Sequence, residues 1–351
     1  MRKVSGLLAL TLVAGLLAFA APASASETIW VHHGQSIQAA VHRAHSGDRI
    51  VVLAGEYHQT VQIRKNDITL IGRHAVIVPP SNPHNFCTQV LGPSGICFLA
   101  KQLDSATGAV ITPLRGGRVS GFTVRGFDGF GIMAYGTHGI VIKNNRALDN
   151  AEYGVVSFVS SHNKFIDNEA TGAGEAGFYY GDSPNADAYI HGNTAHGNEF
   201  GIFIRNSMHG VVSGNNSYEN CIGTLFLAGA PGPESYWTFK YNHVWDNDKA
   251  CAATEEAPPL SGIGVMLSGT DHVRVVHNWI KGNHPTGPSP ISGGVVVITS
   301  IAAPLPPVDN EVEHNVIRGN KPFDIVYDGT GSGNDFSDNW CAVSVPAGLC
   351  S

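Results

Sequence analysis

Charge is scarce in this chain, and what there is leans acidic. Asp, Glu, Lys and Arg make up 14% of the 351 residues, with 21 Lys+Arg against 28 Asp+Glu. A basic footprint is missing, which argues against generic nucleic-acid binding. Long apolar runs are missing too. After residue 25, nothing is long and apolar enough to cross a bilayer as a helix. Extended 3.6-residue periodicity is absent, which excludes a helical repeat. The six cysteines contain no C-x-x-C pair, so a structural zinc site has little support.

What the chain does have is a recurring motif: an apolar residue, two variable residues, Asn, four residues, Asn. It reads Ile142, Asn145, Asn150; then Ile190, Asn193, Asn198; then Val212, Asn215, Asn220. It continues as Phe239, Asn242, Asn247; Val275, Asn278, Asn283; and Val312, Asn315, Asn320. A further copy, Phe165 and Asn168, has Ala173 at the second Asn position, and Asn339 opens a last one. The first Asn recurs at steps of 23, 25, 22, 27, 36, 37 and 24 residues. A period in the low twenties with variable insertions predicts a stack of coils. Each repeat holds three short runs bounded by Gly, Asn or Ser. In Gly201-Ile202-Phe203-Ile204-Arg205, alternation sends Ile202 and Ile204 to one face and Phe203 and Arg205 to the other. The expected fold is all-β: a single-stranded parallel β-helix of about ten coils in one domain.

The Asn repeat is read as structural. Apolar or small residues stand three before and two after it, as in Val212 and Ser217 around Asn215. Coils about 4.8 Å apart would let the amides hydrogen-bond up the stack as a ladder. Asn also tolerates left-handed backbone, so the ladder Asn is the expected corner residue.

Residues 1–25 read as a secretory signal peptide: Arg2 and Lys3, an apolar stretch from Leu7 to Ala21, then Ala23-Ser24-Ala25. The expected product is secreted, with no membrane attachment after cleavage. Its even cysteine count predicts disulfides, by sequence proximity Cys87–Cys97, Cys221–Cys251 and Cys341–Cys350, among fifteen possible connectivities. Both ends of the stack need covers. Residues 26–48 are assigned to an N-terminal cap, with an amphipathic helix from Ser36 to Ala44, and 340–351 to a C-terminal cap. Arg49 to Leu53 is expected to be the first strand.

From Ser36 to Tyr57 the chain resembles the entry to right-handed parallel β-helix proteins of the pectate-lyase-like superfamily. Its repeats resemble the right-handed β-helix region also found in NosD-like proteins. The superfamily includes polysaccharide lyases, uronan C5-epimerases, glycoside hydrolases, tailspikes and non-catalytic members. Between Tyr179 and Asn220 the chain is similar to the central repeats of alginate C5-epimerases. Those enzymes carry an Asp-Pro-His-Asp-type motif one coil upstream of a catalytic arginine. Here the motif position reads Gly181-Asp182-Ser183-Pro184-Asn185-Ala186-Asp187, without the His, and Arg205 lies one residue from the arginine.

The resemblance implies a polysaccharide ligand and a groove on the outer face of the Gly-Ile-x-Ile strands. One outward column reads Met133, Val156, Tyr179, Phe203, Leu225, Met266; the next reads Tyr135, Phe158, Gly181, Arg205, Leu227, Ser268. Tyr135, Phe158, Phe203 and Asp187 are the expected substrate contacts. Insertions at 79–113, 228–236, 251–261 and 285–292 are the alternative occupants of that surface. Six positions before the ladder Asn stand His162, Asp187 and His209, with His272 further on. Such a column suits acid/base chemistry, a shared metal, or simply a solvated turn. No metal ligand set is assigned. Calcium is a possible cofactor, with Asp182 and Asp187 as its nearest carboxylates, although it favours denser clusters. The working reading is C5-proton abstraction from a uronate: Arg205 binds the carboxylate or stabilises the enolate-like charge, His209 or Tyr179 serves as base and acid, and Asp182 and Asp187 orient them or hold a cation. A glycoside hydrolase using Asp182, Asp187 or Glu175, a non-catalytic carbohydrate- or protein-binding platform, and NosD-like metal delivery are the alternatives.

Overall fold

The computed structural model describes residues 26–230, 232–254 and 258–350. The expected signal peptide lies outside the described residues. One coil contains strands Tyr153–Phe158, Lys164–Ile166 and Glu169–Thr171. The next contains Ala176–Ser183, Ala188–His191 and Thr194–His196. Each strand pairs in parallel with its counterpart one coil on, Val155 with Phe178, Phe165 with Ile190 and Ala170 with Ala195. The chain is thus a single-stranded parallel β-helix with three walls, here called the first, second and third sheets in the order just given. No helix among the described residues is long and apolar enough to cross a membrane.

The interior is the predicted stack. Ile142, Phe165, Ile190, Val212, Phe239, Val275 and Val312 lie one above another, all buried. Two amide ladders run beside them. In one, each Asn Nδ2 donates to the Oδ1 of the next, from Asn145 to Asn168 at 3.1 Å through to Asn315 and Asn339 at 3.0 Å. The second runs from Asn198 through Asn220, Asn247 and Asn283 to Asn320. Ala173 interrupts it, and the Ala173 N–H bonds to Asn198 Oδ1 at 2.9 Å. The recurrent glycine opening the first-sheet strand has a steric cause. A Cβ on Gly223 would lie 2.7 Å from both Asn247 Nδ2 and Gly264 O.

Two expectations are corrected. The ladder Asn is not the left-handed corner residue. That role falls one position earlier, on Asn144, Asp167, Tyr241, His277, His314 and Asp338, with φ of 53°, 53°, 56°, 57°, 55° and 53°. The ladder amide needs its backbone N–H aligned along the stack, so the chain turns just before it. The first strand is also not Arg49–Val52. Thr28–Val31 precedes it and pairs with it in parallel, so the chain starts the sheet before the helix crosses the open end. That helix, Ile37–Arg43, is capped by Ser36, whose Oγ accepts from Ala39 N–H, and buries Ile37, Ala40 and Val41. Lys65 Nζ donates to the carbonyls of Val41, His42 and Ala44 at its other end.

The outer face of the first sheet carries a second hydrophobic core. Met133, Val156, Tyr179, Phe203, Leu225 and Met266, the outward column, are each at most 3% exposed. Leu91 and Cys87 from the 79–113 insertion, Leu260 from 251–261 and Ile291 from 285–292 join the same cluster. Disulfides Cys87–Cys97 and Cys221–Cys251 tie two of these insertions to the sheet, and Cys341–Cys350 closes the C-terminal turn. The self-covering alternative accounts for most of this apolar surface.

Candidate functional site

Where the insertions leave the first sheet open, Tyr135, Phe158 and Arg205 of its second outward column come partly to the surface, while Leu227 and Ser268 of the same column stay buried. Tyr135 and Phe158 are half-buried there, with ring centroids 6.5 Å apart, and Phe158 lies 5.1 Å from Tyr179. Tyr135 donates its hydroxyl to Gly108 O at 3.3 Å, so the 79–113 insertion forms one wall. Position 181 is glycine because the Tyr179 hydroxyl folds over it, occupying the space a side chain would need. Next come Asp182, exposed at a left-handed bend with φ of 52°, and, one coil on, half-buried Arg205.

Electrostatics joins these groups. Burial is the main cause of the raised pKa of the Tyr179 phenol, Asp182 adds to it and Arg205 opposes it. The Tyr135 phenol is also raised, by burial first and Asp182 second. Arg205 Nε is buried and has no hydrogen-bond partner. Gly229, in the 228–236 insertion, lies against the guanidinium; a Cβ there would sit 3.5 Å from Nε and Nη2.

Glu234 anchors that insertion, and sequence reasoning missed it. Earlier coils put a hydroxyl at this rung: Ser160 Oγ accepts from Thr137 N–H and Ser183 Oγ from Ser160 N–H, both at 3.0 Å. Glu234 Oε2 does the same for Ser207 N–H at 2.8 Å, while Oε1 is buried without a partner. Asn206 Oδ1 adds a bond from Gly229 N–H at 2.7 Å. Full burial pushes the Glu234 carboxyl well above its ordinary value of 4.5, against the Ser207 N–H, which lowers it. The folded chain therefore holds a proton that the unfolded chain releases above that value. Stability from this group is complete at low pH and falls as pH rises from 4.5 toward the folded value. Glu234→Gln is expected to match wild type in Tm near about pH 4 and to exceed it increasingly toward about pH 8. A constant Tm difference across that range would contradict a protonated Glu234.

The structure brings together Tyr135, Phe158, Tyr179, Asp182 and Arg205, and sets three expected residues apart. Phe203 is 3% exposed, packed 5.0 Å from Tyr179 and 5.1 Å from Phe200, so it has no face for a sugar. His209 lies past the Asn206 bend and stacks on Tyr236 at 5.1 Å. Asp187 pairs with His162 Nε2 at 3.8 Å in the same turn column. Tyr236 and Asp309 complete that column. Both are left-handed, and Tyr236 also stacks on His272 at 4.9 Å. With its pKa raised, the Tyr179 phenol stays protonated at neutral pH.

Among the described residues, Asp182 and Asp187 belong to no group of three metal-ligating side chains. Asp271, His272 and Asp309 do form one, with ligand atoms within 4.8 Å of one another. One hydrolase pairing, Glu175 with Asp182, meets a geometric obstacle. Glu175 precedes the strand Ala176–Ser183 and Asp182 is near its end, so their Cα atoms are about 20 Å apart, beyond the roughly 5–10 Å between glycosidase carboxyls.

The fold is shared with solved structures. The mannuronan C-5 epimerase AlgE4 A-module of Azotobacter vinelandii superposes with a TM-score of 0.62 at 18% identity, over 85% of this chain and 88% of that one. The AlgE6 A-module of the same organism gives 0.57 at 18% identity, over 88% of each chain. DFA-IIIase from Arthrobacter chlorophenolicus A6, without its lid, gives 0.55 at 10% identity, over 85% of this chain and 88% of that one. No curated protein sequence matches. The family model described as periplasmic copper-binding protein (NosD) matches residues 42–257, more than half of the chain. With its parallel coils and both amide ladders inside or continuous with that span, the chain belongs to the NosD family.

Proposed function

We propose that this is an exported carbohydrate-active protein that acts on uronate-containing polysaccharide by removing the proton at C5. The carrying observation is Arg205 Nε, buried and unpartnered beside Asp182 and Tyr179. A buried charged donor without an acceptor is costly, and a substrate carboxylate that meets the guanidinium, with the Gly229 segment shifting from its Nε edge, supplies the acceptor. With its carboxylate neutralised, the substrate has a more acidic C5–H. Asp182 takes that proton, and the electron pair moves into the carboxylate, whose enolate-like charge Arg205 stabilises. The Tyr179 ring is 3% exposed, so only its hydroxyl, which folds over Gly181, reaches the substrate; it returns a proton to C5, giving epimerisation, or to the departing glycosidic oxygen, giving elimination. Tyr135 and Phe158 flank the sugar. The mannuronan C-5 epimerases among the structural relatives support the same substrate class; at 18% identity they contribute the fold, and the step rests on Arg205. The test is incubation with uronate polymers in heavy water, followed by NMR. Deuterium at C5 or a new unsaturated terminus supports the reading, and a folded protein giving neither on any uronate polymer removes it.

Asp271, His272 and Asp309 favour a second reading. One imidazole and two carboxylates fit a divalent copper or similar ion, which would serve there as bound cargo. Calorimetric titration with copper(II) is expected to show one site that His272→Ala abolishes. Unchanged binding in the variant would exclude this trio.

A further inference from the structure

The third sheet carries a second aromatic surface that the Arg205 site does not use. Its outward positions on successive coils read His196, Tyr218, Trp245 and Lys281 in one row. Asn216, His243 and Trp279 form the adjacent row. Rings stack along the first row, His196 on Tyr218 at 4.9 Å and Tyr218 on Trp245 at 4.6 Å. At the corner leading into this sheet Tyr241 stacks on His277 at 5.5 Å. Trp279 is 44% exposed and Tyr241 59%, while His196, Tyr218 and Trp245 are half-buried.

Three observations give this surface a ligand. First, Trp279 and His243 are the shared wall of two troughs, of about 530 and 330 Å³. Both volumes fall in the range of small-molecule sites. Tyr241, His277 and His314 line one trough, and Trp245, Asp246 and Lys281 line the other. Second, Tyr241, His277 and His314 occupy the left-handed corner that other coils give to Asn144, Asp167, Gly192 and Gly214. Imidazole is common at positive φ, but a ring as bulky as that of Tyr241 is an outlier there, and outliers of this kind gather at functional sites. Third, Lys240 and Lys281 hold their ammonium groups over rings, 5.9 Å from Tyr241 and 4.3 Å from Trp279. Neither forms an ion pair among the described residues. Asp246 lines the same trough as Lys281 without pairing with it, so both ammonium groups remain available to an anion in a chain of net charge −7.

We propose that this face binds a stretch of acidic polysaccharide, with successive sugar rings seated in the troughs on either side of Trp279 and a uronate carboxylate met by Lys281. Aromatic faces suit the C–H faces of sugar rings, and the imidazoles and Lys281 suit their hydroxyl and carboxylate oxygens. The inference rests on the reading of the protein as acting on uronate polymers, and it adds a binding surface remote from the reacting bond.

The test is affinity electrophoresis through gels containing alginate, polygalacturonate or a neutral β-glucan. It compares wild type with Trp279→Ala, Trp279→Phe and Lys281→Ala, each checked by its melting curve. One or both acidic polymers should retard wild type. Trp279→Ala should weaken that retardation by about tenfold or more, and Trp279→Phe should recover part of it. Lys281→Ala should weaken binding to the acidic polymers alone. Unchanged migration of Trp279→Ala would overturn the proposal. So would a glycan-independent dimer, seen by sedimentation and lost in Trp279→Ala, because the face would then join two copies of the chain. The two readings fail separately. Trp279-dependent retention without C5 exchange removes the Arg205 mechanism alone, whereas exchange with Trp279-independent retention removes this surface alone.

Discussion

Replacing Arg205 with Ala is expected to abolish deuterium uptake at C5, lowering turnover by about a thousandfold or more, while the melting curve stays within error of wild type. The asymmetry follows from the side chain's position. Arg205 is half-buried on the outer face of the first sheet, its neighbours Ile202 and Ile204 fill the inner core without it, and its Nε bonds to nothing. Removing it deletes a charge that the free protein does not use and the developing enolate does. Arg205→Lys should recover only part of the activity, because an ammonium restores the charge without the planar fork. Full activity in Arg205→Ala would remove the residue from the mechanism. Loss of activity together with a large fall in Tm would recast it as structural.

Asn215→Ala should have the largest effect on stability. The Asn215 side chain accepts from Asn193 N–H at 2.8 Å and Asn193 Nδ2 at 3.0 Å, and donates to Ile190 O at 3.0 Å and Asn242 Oδ1 at 2.9 Å. All these groups are buried, and each one orphaned costs about 1–3 kcal/mol, so a loss of about 3–5 kcal/mol is expected by denaturant unfolding. The chain supplies its own comparison at Ala173, where the second ladder lacks a rung. Ala173→Asn should be stabilising, by about 1 kcal/mol. If Asn215→Ala cost less than about 1 kcal/mol, the ladders would be ornaments of packing and not its supports.

The fold could be read from the chain because its signals are local and repeated. Phe239, Asn242 and Val244 have the same environment as Val212, Asn215 and Ser217 one coil earlier, so spacing alone identifies them. The insertions repeat nothing, and the errors collect around them. Alternation correctly sends Tyr179 and Phe203 outward, yet it carries no record of Leu260 or Leu91 lying over the same sheet. Glu234 was invisible because an acid stands where earlier coils use Ser160 and Ser183, and only the register shows the equivalence. A resemblance in one region pointed to Arg205 and Asp182, which the structure places near Tyr179, but His209 was grouped with them because four residues of sequence hide the bend at Asn206. Tyr241 and His277 went unnoticed for a related reason: the corner was assigned to the following Asn, so nothing marked aromatic residues there as unusual.

The second core bears on how such a protein can change over time. A bare coil stack can gain or lose a rung and slide back into register, since each rung recognises only its neighbours. This one has a lid of insertions keyed to particular rungs: Cys251 is bonded to Cys221, and Leu260 packs with the first-sheet column one coil later. Deleting or duplicating a coil that an insertion spans would take that insertion off its apolar seat, so gain and loss of coils are tolerated best where no insertion crosses the break. Elsewhere the freest variation is substitution on faces that nothing covers, and among those faces is the third sheet with its row of rings.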